Sequence, residues 1–320
     1  MTNNWASEVN YQTLVLRNNL LQDLRAFFAQ RSVLEVNTPT LGIAGVSDVH
    51  LASLTVPLGA HLGYLQTSPE HAMKRLLANG SGPIYQMCPA YRAGEFGDRH
   101  NIEFTMLEWY QPGYSMDDLI AEVGELLKKI CDLEPEVISY QSVFELHCGI
   151  SPHLAPVEDL VLLAKEREID ATHLKDVDDS QADYLDLLFS ALVQPHLEAV
   201  VVVDFPACQA ALANYGVNTS GETVARRFEL FLDGVEIANG YDELRDGDEI
   251  RKRFENNNAI RERRNLPVVP LDEQAFIAMS SMDPCAGVAL GVDRLLMHLC
   301  GVREISKVIN FARDHWPGIK

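Results

Sequence analysis

In an extended chain from Ile102 to Tyr110, alternation sends Phe104, Met106, Glu108 and Tyr110 to one face and Glu103, Thr105, Leu107 and Trp109 to the other. The first face therefore gathers an aromatic ring, a carboxylate and a phenol. A preceding apolar run ends at Arg92, and the polar loop between the two, Ala93 to Asn101, supplies Glu95, Arg99 and His100. A guanidinium fork matches phosphate oxygens bidentately and an aromatic face stacks a purine, so this stretch suits a nucleotide. On composition alone, an ordinary solvated strand-loop-strand is the favoured account.

A second candidate lies around Asp233-Gly234, the strongest short hairpin signal in the chain. A two-residue turn there pairs Leu232 with Val235, Phe231 with Glu236 and Glu229 with Ala238, which puts Glu229 and Glu236 on one face and Leu230 and Ile237 on the other. Two carboxylates on a sheet built to be buried suggest Mg²⁺ or an ammonium group, and a solvated outer face is the competing explanation. Farther on, Gly287-Val288-Ala289-Leu290-Gly291 runs into Arg294, a glycine-bearing strand turning into a helix whose start favours anions. There is no G-x-x-x-x-G-K-[ST] and no G-x-G-x-x-G, which excludes P-loop and dinucleotide-fold sites.

These residues need a frame. Leu14, Leu16, Leu20, Leu21, Leu24, Phe27 and Phe28 recur at helical spacing, and Val33 to Val36 reads as a strand stopped before Thr38-Pro39. Residues 84 to 92 and 102 to 110 form two strands about the Ala93–Asn101 loop. Ala199 to Phe205 is a continuous apolar run suited to a central strand, ended by Pro206. Residues 116 to 198 are acidic and read as helical between prolines, with no pattern that points to chemistry. No repeat or linker appears, so one α+β domain around an antiparallel sheet is the economical expectation. With 320 residues and 47% hydrophobic content the chain can bury a full core. No apolar run is long enough to span a membrane and no secretory signal is evident, so cytoplasm is expected. The six cysteines are scattered, with no zinc spacing. A net charge of −20 disfavours a large polyanionic partner such as tRNA.

Taken in this order, the segments resemble the signature motifs of class II aminoacyl-tRNA synthetases. The first helix, its strand and Thr38-Pro39 are similar to motif 1. Tyr91-Arg92 through Arg99-His100-Asn101 to Glu108 is similar to motif 2 of the lysyl type, and Gly287 through Gly291-Val292-Asp293-Arg294 to motif 3. Thr67-Ser68-Pro69-Glu70, Met73 to Leu77 and Glu236 to Gly240 resemble further lysyl-type segments, so the likeness spans the chain apart from about 116 to 198. Motif 1 starts near residue 11, and no anticodon-binding domain is expected ahead of it. The chain therefore resembles the lysyl-tRNA synthetase paralogs that modify elongation factor P.

The resemblance implies the class II catalytic fold, an antiparallel sheet flanked by helices, as a single domain over 1–320 with a helical insertion at about 116–198. It implies ATP-dependent activation of (R)-β-lysine as an adenylate and its transfer to the ε-amino group of a lysine of elongation factor P. A minimal lysyl-tRNA ligase and a non-catalytic regulatory paralog are the rival readings. By position, Arg92 and Arg294 are the catalytic residues: Arg92 on the α-phosphate, Arg294 near the γ-phosphate and, with Phe104, enclosing the adenine. Ala93, Gly94, Glu95, His100, Asn101, Ile237 and Gly291 complete the ATP site, and Glu236 holds Mg²⁺. Ser68, Pro69, Glu70, Tyr110, Glu243 and Ala289 line the amino-acid pocket, where a carboxylate must pair with the side-chain ammonium.

Several positions depart from the lysyl pattern. Ala93-Gly94 stands for Asn-Glu, Ile102 for proline, His71-Ala72 for Tyr-His, and Ala289 for the glycine usual in lysyl-tRNA synthetases. One added methyl alters discrimination by roughly 1–3 kcal/mol, which suits a displaced amine. The motif 1 helix implies a homodimer. Arg251-Lys252-Arg253 and Arg261 to Arg264 are candidate docking stretches for an acidic partner, with solvated helix faces as the alternative.

Overall fold

The computed structural model describes residues 6–174 and 181–312. Helix α1 (Tyr11–Gln30) begins at Asn10, whose side chain accepts the Thr13 amide at 2.9 Å, and leads into β1 (Leu34–Glu35). Strands β2 (Leu41–Gly42), β3 (Thr55–Leu58) and β4 (His61–Leu65) form a small sheet of their own in the order β2-β4-β3. Then come α2 (Glu70–Ala78), β5 (Ile84–Tyr91) and β6 (Glu103–Pro112). The middle of the chain holds α3 (Met116–Cys131), β7 (Glu136–Ser139), α4 (Tyr140–Cys148), α5 (Val157–Glu166) and α6 (Gln181–Leu188). Strands β8 (Ala199–Pro206), β9 (Tyr215–Val217), β10 (Thr223–Leu232) and β11 (Val235–Asp242) follow. The last elements are α7 (Gly247–Arg263), α8 (Glu273–Met279), β12 (Cys285–Gly291) and α9 (Val292–Cys300).

The main sheet runs β1-β5-β6-β12-β11-β10-β8-β7, with β9 beside β10. Its pairings are antiparallel except β1 with β5 and β7 with β8 at the two ends. The expected α+β class is the one found. One face is closed by α1, α3 and α9 through Leu24, Phe28, Leu107, Trp109, Leu126 and Leu295, all excluded from solvent. Leu107 and Trp109 point there as alternation requires, leaving Phe104, Met106, Glu108 and Tyr110 for the opposite face. Inside this layer Glu122 is anchored by Trp109 Nε1 at 2.9 Å and Gln111 Nε2 at 2.8 Å, so the buried carboxylate is satisfied.

The sequence reading needs three corrections. Asp233 and Gly234 turn with φ of 51° and 69°, the two positive values a tight hairpin demands, and Leu232 pairs with Val235 and Phe231 with Glu236 as expected. A bulge between Leu230 and Phe231 then shifts the ladder, so Glu229 opposes Asn239 and not Ala238. Second, residues 116 to 198 are not all insertion: α3 packs in the main core and β7 extends the main sheet, while α4 to α6 build a separate apolar cluster against β8. Third, β8 is next to last in the sheet, held between β10 and the short β7, and gains its burial from the α4–α6 cluster.

Helix α1 serves two surfaces. Leu20, Leu24, Phe27 and Phe28 are core, whereas Tyr11, Leu14 and Val15 remain 78%, 39% and 38% exposed. Among the described residues no helix is long and apolar enough to cross a membrane.

Candidate active site

The open face of the sheet is the floor of a chamber of about 450 Å³. Register builds that floor row by row. Glu229 opposes Asn239, Asn239 opposes Ala289, and Ala289 opposes Glu108, so one rung draws four side chains from β10, β11, β12 and β6. The adjacent rung is Arg227, Tyr241, Gly287 and Tyr110. Residues opposite one another share a face, and all eight line the chamber. Gly287 has to lack a side chain, because a Cβ there would sit 2.3 Å from the Tyr110 ring and 2.5 Å from Glu243 Oε1.

Carboxylates crowd one end. Ser68 Oγ donates to Glu108 Oε2 at 2.7 Å and the Tyr110 hydroxyl donates to Glu108 Oε1 at 2.6 Å. Lys74, one turn after Glu70 and wholly buried, places Nζ 2.6 Å from Glu70 Oε1 and 2.5 Å from Glu243 Oε2. Burial pushes the Glu108 carboxyl up to about 7, and Glu70 close by adds to the effect. Burial likewise raises Glu243 against the pull of Lys74, while at Glu70 the neighbouring Lys74 and His71 outweigh burial and hold the carboxyl low. Lys74 itself would lose its proton more readily on burial, but Glu243 and Glu70 keep it charged. One buried ammonium among three carboxylates leaves this end short of positive charge, a cavity made for amines.

Arginines dominate the other end. The Arg92 guanidinium lies 5.0 Å from the Phe104 ring centre and 3.6 Å from Glu95, and its buried Nε has no hydrogen-bond partner among the described residues. Such an orphaned donor calls for an anionic ligand. Arg294 donates to the Glu236 carbonyl at 2.9 Å, approaches Glu236 Oε2 at 3.5 Å and lies 2.7 Å from His100 Nε2. Burial and the Arg294 charge hold the His100 imidazole below its ordinary value. Asp293 fixes this corner: it is buried, pairs with Arg17 of α1 and accepts the Thr105 amide at 2.6 Å, locking α9 to β6 and α1. A larger cleft of about 660 Å³ shares Arg99, Ile237 and Arg294 with the chamber but holds none of the amine-facing carboxylates.

Of the residues singled out in the sequence, Ser68, Glu70, Arg92, Glu95, His100, Asn101, Phe104, Tyr110, Glu236, Ile237, Glu243, Ala289, Gly291 and Arg294 come together on this chamber. Pro69, Ala93 and Gly94 do not line it. Pro69 caps α2, the Ala93 amide bonds the Ala52 carbonyl at 2.7 Å, and Gly94 makes a left-handed turn at φ 78°. Sequence reasoning placed Glu108 and Glu229 on ligand-facing strands but gave neither a final role, and it left out Arg227, Asn239, Tyr241 and Asp186 as ligand contacts. The rung register would have found the first three of these; Asp186, in α6, carries no local signal.

Mg²⁺ fits the donor set as a shared ion. Among the described residues the Glu236 carboxylate has only a long contact to Arg294, whereas Glu229 is tied to Arg227. Among the described residues no group of three or more His, Cys, Asp or Glu is arranged for a metal, so an ion here would lean on substrate phosphates for its remaining oxygens. The basic stretches turn out to be braces. Arg251 pairs with Glu273 and Arg253 with Glu249, the buried Arg261 donates to the Asp48 and Leu51 carbonyls, and Arg264 pairs with Asp183.

Residues 3–315 match the family described as tRNA synthetases class II (D, K and N). The chain is similar to the elongation factor P–(R)-β-lysine ligases of Histophilus somni strain 2336 and of Yersinia enterocolitica, each 43% identical over 97% of this chain and 98% of theirs. It is 41% identical to the ligase of that name from Salmonella arizonae, over 98% of both chains.

Proposed function

Because the chain belongs to the class II tRNA synthetase family of the D, K and N type, we propose that it ligates (R)-β-lysine to elongation factor P at the expense of ATP. The observation that carries this reading is the polarity of the chamber, carboxylates at one end and arginines at the other. An amino acid with two ammonium groups fits the first end: Glu70, Glu108 and Glu243 receive the amines, with Ser68 and Tyr110 fixing Glu108. ATP fits the second, its base against Phe104 and its phosphates on Arg92 and Arg294, with His100 and Asn101 beside them.

The amino acid carboxylate then attacks the α-phosphorus, and the bond to pyrophosphate breaks. Arg92 meets the charge that builds on the α-phosphate oxygens. Mg²⁺, held by Glu236, neutralises phosphate charge when bound. In the second step the acceptor amine attacks the acyl carbon and the carbon–oxygen bond to AMP breaks. No nucleophile from the enzyme is needed, so catalysis is positioning and preorganised charge. Incubating the enzyme with ATP, (R)-β-lysine and purified elongation factor P should add one lysyl mass to the factor. No gain, or charging of tRNA-Lys in its place, would sink the reading. Cytoplasm is where such an acceptor is met.

Three results are expected. Glu108 holds a proton near neutrality, and an entering ammonium has to displace it. KM for the amino acid in pyrophosphate exchange should therefore rise about tenfold per pH unit as pH falls below about 7. Binding should release protons, seen as heats that change with the ionisation enthalpy of the buffer. Ala289→Gly removes the one methyl on the central rung, between Asn239 and Glu108, and should shift preference toward α-lysine by roughly 1–3 kcal/mol, read as the ratio of kcat/KM for the two isomers. Exposed Tyr11, Leu14 and Val15 on α1 suit a homodimer interface, and light scattering should return twice the chain mass.

A further inference from the structure

Charge accounting in the chamber leaves two carboxylates without a role. Glu70, Glu108 and Glu243 face the amines of the amino acid, Glu236 lies against Arg294, Glu229 is paired with Arg227, Glu95 faces Arg92 and Asp293 is paired with Arg17. Of the remaining two, Asp48 is turned to its own loop, where it accepts the His50 amide at 2.8 Å, which leaves Asp186. It lines the same chamber from α6 and makes no ion pair among the described residues; its hydrogen bond is from Gln209 Nε2 to Oδ1 at 2.6 Å. Arg227 and His50 act on it only through space, as do Asp183 and, from below, Glu229. Its position is fixed. Gln209 is 7% exposed, and Asp183, earlier on the same helix, is clamped by Arg264 at 2.6 Å and by His50 at 3.2 Å.

The proposed reaction involves three cationic groups: two ammoniums on the amino acid and one on the acceptor lysine. Two are accounted for at the carboxylate end, and an unpaired carboxylate in the same chamber is what the third requires. We propose that Asp186 receives the ε-ammonium of the acceptor lysine, positions it against the adenylate and takes its first proton. The inference rests on the ligase reading above. The proton passes from the ammonium to the Asp186 carboxylate, and the freed lone pair bonds the acyl carbon. The carbon–oxygen bond to phosphate breaks and AMP leaves with the electron pair. The second proton on nitrogen goes to water, and Asp186 later returns its own to solvent. Asp186 is exposed on the chamber wall, where an entering side chain can reach it.

The test separates the two half-reactions. With D186N, β-lysine-dependent pyrophosphate exchange should stay within about twofold of the parent, as should trapping of the adenylate by hydroxylamine, a nucleophile that is neutral near pH 7. Single-turnover transfer to elongation factor P should fall by about 10²-fold, and should recover as pH is raised toward the pKa of the acceptor amine. D186E should restore part of the rate. Equal losses in exchange, trapping and transfer would make Asp186 a structural partner of Gln209 and overturn the proposal, as would unchanged transfer. Absence of exchange in the parent enzyme would instead sink the ligase reading, and the proposal with it.

Discussion

Lys74→Met is expected to lose about 3–5 kcal/mol of stability, because it leaves Glu70 and Glu243 facing one another with no cation between them. Nζ is wholly enclosed, so water cannot take its place. The loss should depend on pH. Without Lys74 the carboxyl of Glu243 is held still higher by burial and by Glu70. A carboxyl whose folded pKa lies above its unfolded value binds more protons in the native state, so stability falls as pH rises past the unfolded pKa. The melting temperature of the variant should thus drop between pH 6 and pH 9 by more than that of the parent. Adding Glu243→Gln removes one of the two opposed charges and should recover part of the loss. A variant that melts with the parent at every pH would mean that Lys74 is dispensable to the fold.

Arg92→Ala should lower adenylate formation by about 10²–10³-fold while leaving the melting temperature within a degree or two of the parent. The two effects separate because of what Arg92 does in the free protein: among the described residues its Nε is unpartnered and its one ion pair is a 3.6 Å contact with Glu95. Little internal structure is lost with it. Arg92→Lys keeps the charge and loses the planar fork, so it should regain only a small part of the rate. Pyrophosphate exchange assays the first claim directly, and a rate within threefold of the parent would remove Arg92 from the phosphate site.

Much of this site was legible before the structure, and the reasons are local. Alternation from Ile102 to Tyr110 needs only that the segment be a strand, and it assigned Phe104, Glu108 and Tyr110 to the working face. Asp233-Gly234 announces its turn because both residues tolerate positive φ. Two features were out of reach. The bulge at Leu230/Phe231 leaves Ile237 of β11 as the extra residue while β10 keeps an unbroken register with β8 there, and no residue type at these positions marks it in the sequence. Lys74 lies four residues after Glu70 on a helix, a spacing that ordinarily marks a solvated surface pair, and only the packing of α2 against the chamber turns it into a buried one. Asp186 sits in an acidic helical stretch where nothing nearby marks it.

The central rung has a consequence for redesign. Its four positions, 108, 229, 239 and 289, come from three separate parts of the chain, yet each is a side chain on a hydrogen-bonded ladder whose backbone does not depend on what it carries. Exchanging residues there should retune which amine is accepted while the neighbouring positions keep their places. Adding or deleting a single residue within β6, β10, β11 or β12 would do the reverse, turning the polar members of that strand into the apolar layer under α1 and α3. New substrate preferences are therefore open to substitution and closed to changes of length.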